Sequence, residues 1–251
     1  MEKLSDRLQM IADNIRKGET MADIGTDHGF LPIYLLKNEI SPRVIMSDVN
    51  SGPLARAKEN FCEAFGIEGL SQEELLGKSM AEFRLGSGLE TIGTGEVDDI
   101  VIAGMGGKLI VEILMTDFEK TALFKKFILQ PRNGLGHLRS YLNAAGFDIE
   151  KELLVREADN ICNVIVVNVD VAKLKDIKLS TEWFRNYEPT PEEEYPAVLT
   201  DGSPLNREYI EKHLEKYREI ARRINELSAD GSDHEKLQYV NGFIEHLEGL
   251  K

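Results

Sequence analysis

The stretch that most constrains this chain is residues 21–31, MADIGTDHGFL. Met21 to Ile24 is an apolar run of strand length, and Gly25 to Gly29 is a polar turn with glycine at each end. Leu31, Ile33, Tyr34, Leu35 and Leu36 then supply the apolar part of a helix that starts at once. A strand turning directly into a helix commits the chain to βα units and a mostly parallel sheet. The same junction is a place to hold a ligand, because a helix start presents unpaired N–H groups and glycine lets a ligand approach the backbone.

The turn carries Asp23, Asp27 and His28. Two acids oppose a pyrophosphate but suit an ammonium, a sulfonium or ribose hydroxyls. Only Gly25 and Gly29 are present, so the G-x-G-x-x-G dinucleotide pattern is not met. S-adenosylmethionine fits this turn better than NAD; the plain alternative is a βα turn in which glycine serves the backbone alone.

The 251 residues accommodate one α/β domain and a smaller appendage, and a hydrophobic content of 42% is enough for a core. A formal net charge of −14 disfavours loose binding to nucleic acid through bulk charge and leaves selective binding through a local basic patch. No apolar run approaches the roughly 20 residues of a membrane span, and the start MEKLSDRLQM is amphipathic and acid-bearing, unlike a signal peptide. A cytoplasmic protein with no membrane association is expected. Cys62 and Cys162 have no C-x-x-C partner and the five histidines form no H-x-x-x-H pair, so no metal is expected.

Along the chain, Leu4, Leu8, Ile11 and Ile15 predict a helix over 3–15, with Arg7 beside the apolar stripe and able to reach a ligand carboxylate. Strands are predicted over 43–47, 83–85, 97–103, 127–130, 147–155 and 163–169, and helices over 52–65, 109–115 and 137–145. Asp48 and Val49 end the second strand, and Asp48 lies 19 residues beyond Gly29, where doubly wound folds place an acid on ribose hydroxyls. Small residues at Gly86, Ser87 and Gly88 after the third strand permit an adenine ring to lie against backbone. Ala103, Gly104, Met105, Gly106 and Gly107 after the fourth form a second glycine-rich turn, so two such turns flank one crevice. The short link between the last two strands predicts an antiparallel pair. Residues 67–80 read as a surface insertion.

Past residue 170 the character changes. EPTPEEEYP, with three prolines in nine residues, reads as a linker. Ile210, Leu214, Tyr217, Ala221 and Ile224, then Leu237, Val240, Ile244 and Leu247, step by threes and fours on either side of the SADGSD turn at 228–233. They predict an antiparallel helical hairpin of coiled-coil type. Two domains follow, 1–170 binding the cofactor and 171–251 holding linker and hairpin.

Seven strands with a terminal antiparallel pair, an acidic first turn and an acid after strand two resemble the class I S-adenosylmethionine-dependent methyltransferases, a Rossmann-like α/β fold. More narrowly, LSDRLQMIAD, ADIGTDHGFLP, RLGSGLE, IVIAGMGGKLI, ILQPRN with LRSYL, and the trailing hairpin resemble the TrmK family of bacterial tRNA methyltransferases. That family methylates N1 of adenosine 22 in tRNA. The resemblance covers essentially the whole chain, with residues 67–80 longer than is usual for the family. It implies that Asp23, Gly25, Asp27, His28 and Gly29 line the methionine end of the cofactor, Asp48 and Val49 its ribose, Ser87 and Gly88 its adenine, and Ala103 to Gly106 the face toward the target base. Ser87 stands where many class I enzymes carry an acid.

The reaction so implied needs little base catalysis, because adenine N1 already has a lone pair. Asp27 and His28 are the candidate catalytic residues, Asp27 as a partner for the developing cation or for an N6 proton and His28 as a group that orients the pocket. The base must be unstacked to enter the pocket. Arg132, Asn133 and Arg139 are the candidate tRNA contacts, with Lys108, Lys125, Lys126 and Arg16 as possible neighbours. A small-molecule methyltransferase, a non-catalytic S-adenosylmethionine- or RNA-binding module, and a nicotinamide dehydrogenase are the competing readings. The acids in the turn and the missing third glycine weigh against the last.

Overall fold

A computed structural model describes residues 3–67, 80–199, 201–227 and 233–251. The insertion read at 67–80 and the turn at 228–233 lie almost wholly outside these residues. Seven strands among them form one sheet: β1 Met21–Ile24, β2 Val44–Asp48, β3 Ala81–Leu85, β4 Asp99–Gly106, β5 Lys126–Asn133, β6 Asp148–Glu157 and β7 Asn160–Asn168. The order is β3-β2-β1-β4-β5-β7-β6, parallel except for β7, which runs antiparallel to both neighbours. The predicted terminal pair is therefore present, and its link shortens to Ala158 and Asp159. The helices are α1 Asp6–Ala12, α2 Phe30–Lys37, α3 Ser51–Phe65, α4 Gly107–Thr116, α5 Phe118–Thr121, α6 Leu135–Ala145, α7 Thr181–Asn186, α8 Pro191–Glu194, α9 Pro204–Leu227 and α10 His234–Gly249.

The sheet is apolar on both faces because strand side chains alternate and helices cover each side. Ala22, Ile24, Ile100, Ile102, Phe127, Leu129, Ile165 and Val167 pack on one face with Ile110 and Leu114 of α4 and Leu138 and Leu142 of α6. Met21, Val44, Met46, Val101, Ile128 and Val164 pack on the other with Ile11 of α1, Leu31 and Leu35 of α2 and Phe61 of α3. The helix predicted over 3–15 is shorter than its apolar stripe: Ser5 caps it by accepting from Leu8 N–H, and Leu4 and Ile15 stay buried outside it. No helix among the described residues is long and apolar enough to cross a membrane.

The chain adds β2 and β3 on one side of β1, then returns to place β4 on the other. The topological switch point thus falls between β1 and β4, at the carboxyl ends where both glycine turns stand.

The proline-rich segment is not a linker. Pro191 occupies the first turn of α8, where a missing N–H costs nothing, and Thr190 and Glu193 form a reciprocal capping box. Tyr195 is buried among Tyr209, Ile210, Leu214 and Phe243, the centre of a third apolar cluster between α9 and α10. Ion pairs Glu211 with Lys251 and Arg218 with Glu248 run in opposite senses along the two helices, which makes the hairpin antiparallel. Leu154 and Ile161 of β6 and β7 pack against the same cluster.

Candidate functional site

The β1 turn is held by strand two: Gly25 N–H and Thr26 N–H both donate to Ser47 O, at 2.8 and 3.0 Å. Gly25 adopts φ +77°, which favours glycine by conformation, and a Cβ there would meet only the terminal methyl of Met105, which would have to move aside. Gly29 also has positive φ, but its close neighbours are Met46 and Ala57, so it serves the seating of α2 on α3 rather than the cleft wall.

A cleft of about 1180 Å³ opens at the switch point. Asp23, Gly25, Asp27 and His28 of the first turn, Asp48 and Val49 after β2, Ser87 and Gly88 after β3, and Ala103, Gly104 and Met105 after β4 all line it, as do Arg7 and Arg132. Gly106 and Asn133 stand just outside, with Asn133 Oδ1 near Gly106.

Asp23 is buried on this floor and accepts from Thr26 Oγ1 at 2.8 Å. Burial pushes its carboxyl up to about 6; the Thr26 hydroxyl and the Arg7 charge oppose that rise, and Asp48 adds to it. Asp48 is also buried, and its Oδ1 accepts from Asn50 N–H at 2.8 Å, which fixes the direction of the carboxylate.

Arg7 reaches the cleft from α1. Its Nε donates to Glu157 Oε1 at 3.3 Å and its Nη1 to Gln130 Oε1 at 3.2 Å. Glu157 lines the cleft and Gln130 stands behind it; sequence reasoning singled out neither. The signal for Gln130 was a polar side chain closing the apolar strand FIL, one residue before Pro131.

Asp27 and His28 stand at the rim, with side chains 61% and 45% exposed. Asp27 pairs with Arg56 at 3.1 Å, and His28 stacks on Phe30 with ring centroids 5.2 Å apart. The buried acids of the site are Asp23 and Asp48 instead.

Arg132 is exposed beside Gly104 at the cleft edge, as a substrate contact requires. Arg139 is not at the mouth of the crevice. It is 3% exposed, donates through Nε to Glu152 Oε1 at 2.9 Å, and also bonds the Glu193 carbonyl, so it ties α6 to β6 and α8. Lys125 precedes β5 and Lys126 begins it, at the amino-terminal ends of the strands and away from the cleft, where they pair with Asp98 and Asp99, and Arg16 pairs with Glu19 nearby. None of the three faces the cleft.

Residues 4–165 match the family model of a methyltransferase domain. The chain belongs to that family. Over 165 residues it is 37% identical to the tRNA (adenine(22)-N(1))-methyltransferase of Bacillus subtilis, a match covering 66% of this chain and 64% of that protein. The chain thus aligns with just under two thirds of that relative's length. Among solved structures, the Bacillus subtilis m1A22 tRNA methyltransferase TrmK superposes with a TM-score of 0.79 at 28% identity, over 99% of this chain and 98% of the other. The Streptococcus pneumoniae protein Sp1610, solved in complex with S-adenosyl-L-methionine, gives 0.75 at 28% identity over 99% of each chain. The matched residues include every cleft-lining residue named above.

Proposed function

We propose that this protein transfers a methyl group from S-adenosylmethionine to N1 of adenosine 22 in tRNA. The observation that carries the reading is the juxtaposition of two buried acids, Asp23 and Asp48, near the ends of adjacent strands beside a turn that holds Gly25 at φ +77°. The donor set suits S-adenosylmethionine: Asp23 faces an ammonium, Asp48 takes ribose hydroxyls, Arg7 takes a carboxylate, and Ser87 and Gly88 border the adenine. Likeness to the Bacillus subtilis enzyme, and to the S-adenosyl-L-methionine complex from Streptococcus pneumoniae, supports the same cofactor and substrate.

When bound, S-adenosylmethionine supplies an electrophilic methyl carbon on a sulfonium. The chain's own residues do the rest by placement. Asp23 and Arg7 fix one end of the cleft and Asp48 the other, so the nucleophile meets the carbon in line, an arrangement worth up to ~7–11 kcal/mol in favourable models. Met105, packed over Gly25, excludes water at the carboxyl end of β4. Asp27 and His28 border the mouth, where a carboxylate stabilises the cationic methylated base. Arg132 and Asn133 contact the RNA at the edge. Within this reading residues 1–170 hold the cofactor, and 171–251 form an appended unit ending in the hairpin.

Mass spectrometry of nucleosides from unmodified tRNA transcripts, after incubation with the protein and S-adenosylmethionine, tests the proposal. 1-Methyladenosine at position 22 is the expected product. Cofactor binding without any methylated nucleoside would move the assignment to a small-molecule methyltransferase, which the net charge of −14 suits.

A further inference from the structure

The fourth strand leaves the sheet irregularly. Ala103 pairs with Gln130 in the β4–β5 register, but the register then slips, and Gly104 turns to φ +75° before Met105 pairs with Pro131. At such a bulge a backbone N–H loses its ladder acceptor. Here the side chain of Gln130 replaces it: Oε1 accepts from Gly104 N–H at 3.1 Å. The same oxygen accepts from Arg7 Nη1 at 3.2 Å, while Nε2 donates to Pro131 O at 2.9 Å. Gln130 is 2% exposed, so nothing in solvent replaces these partners. Arg7 is held from its other side by Glu157.

One buried oxygen therefore joins the two walls of the cleft, the turn that faces the reacting base and the cation that faces the cofactor carboxylate. We infer that Gln130 is a positioning residue for methyl transfer, fixing the Gly104–Met105 turn and Arg7 in one mutual geometry. It touches neither substrate nor cofactor and acts through those two groups. The two donors converge on a single amide carbonyl, so displacing the amide moves both walls at once. The inference rests on the methyl-transfer reading above.

The test compares wild type with Gln130→Met, which keeps volume and removes the acceptor, and Gln130→Glu, which keeps an oxygen for both donors. Three quantities are read: the single-turnover rate of methyl transfer to a tRNA transcript at saturating S-adenosylmethionine, the affinity for S-adenosylhomocysteine without RNA, and the melting temperature. Gln130→Met should slow the single turnover roughly tenfold or more and weaken S-adenosylhomocysteine severalfold, while Gln130→Glu recovers most of the rate. A wild-type rate in Gln130→Met, or a Glu variant as slow as the Met variant while still folded, would overturn the assignment. Amide exchange on the wild-type protein decides the matter even if Gln130→Met does not fold. Gly104 N–H should be protected like a strand amide, and exchange at the pace of an open turn removes the bond on which the inference stands. Should wild type methylate no RNA at all, the functional reading fails, and the affinity and exchange measurements still report on Gln130.

Discussion

Gly25 and Met105 meet across the switch point: the Met105 methyl occupies the space where any side chain at position 25 would begin. Strands one and four are parallel neighbours in the sheet, and this contact lies beyond the last paired residues, at the cleft they share. Gly25→Ala should push Met105 aside and strain a backbone at φ +77°, at a cost of about 1–3 kcal/mol. Isothermal titration with S-adenosylhomocysteine should show affinity at least tenfold lower, with a smaller loss in melting temperature than in binding.

Asp23 gives the site a pH dependence of known sign. Its carboxyl is raised from 3.8 to about 6 in the fold, so the folded state holds the extra proton and stability falls as pH climbs from 3.8 to 6. The total is about 3 kcal/mol, and Asp23→Asn should abolish that slope in denaturant titrations between these pH values. Ligand binding has the opposite trend, because only the ionised form attracts an ammonium. S-adenosylhomocysteine affinity should therefore decline below pH 6 in wild type and stay low and flat in Asp23→Asn.

Arg132 and Arg139, seven residues apart, should separate cleanly. Charge reversal at exposed Arg132 should weaken tRNA binding and lower the slope of log affinity against log salt by about one, with melting unchanged. Arg139→Ala leaves Glu152 buried without its cation, a loss of about 3–5 kcal/mol. Its signature is a large drop in melting temperature, with tRNA affinity per folded molecule preserved.

The hairpin cluster carries its own acid sensitivity. Burial holds His213 down to about 4, the Lys216 charge reinforcing it, and the ring nitrogen Nδ1 lies 2.7 Å from Tyr195 Oη. A histidine depressed in the fold is fully stabilising above its ordinary 6.5, and that contribution, up to about 3 kcal/mol, is lost as pH falls from 6.5 to 4. Thermal melts from pH 7 to 4.5 should show the loss, and His213→Gln should flatten it. An unchanged pH profile in that variant would assign the sensitivity to another group.

The strands, the glycine turns and the placing of Asp23 and Asp48 are legible in local pattern, because alternation, turn chemistry and capping act over a few neighbouring residues. The sequence carried the hairpin for the same reason, through a three- and four-residue apolar step. What it did not carry depends on partners far away in the chain. Arg139 is a candidate tRNA contact by sequence but a buried partner of Glu152 and Glu193 in the fold, and EPTPEEEYP has the composition of a linker while its Glu194 accepts from Gly136 N–H and its Tyr195 is buried between α9 and α10. That Asp23 is buried with Asp48 while Asp27 stays at the rim follows from packing alone. Only the tertiary structure could show Gln130 serving Gly104 and Arg7, since a lost ladder bond and its replacement exist only once β4, β5 and α1 have met.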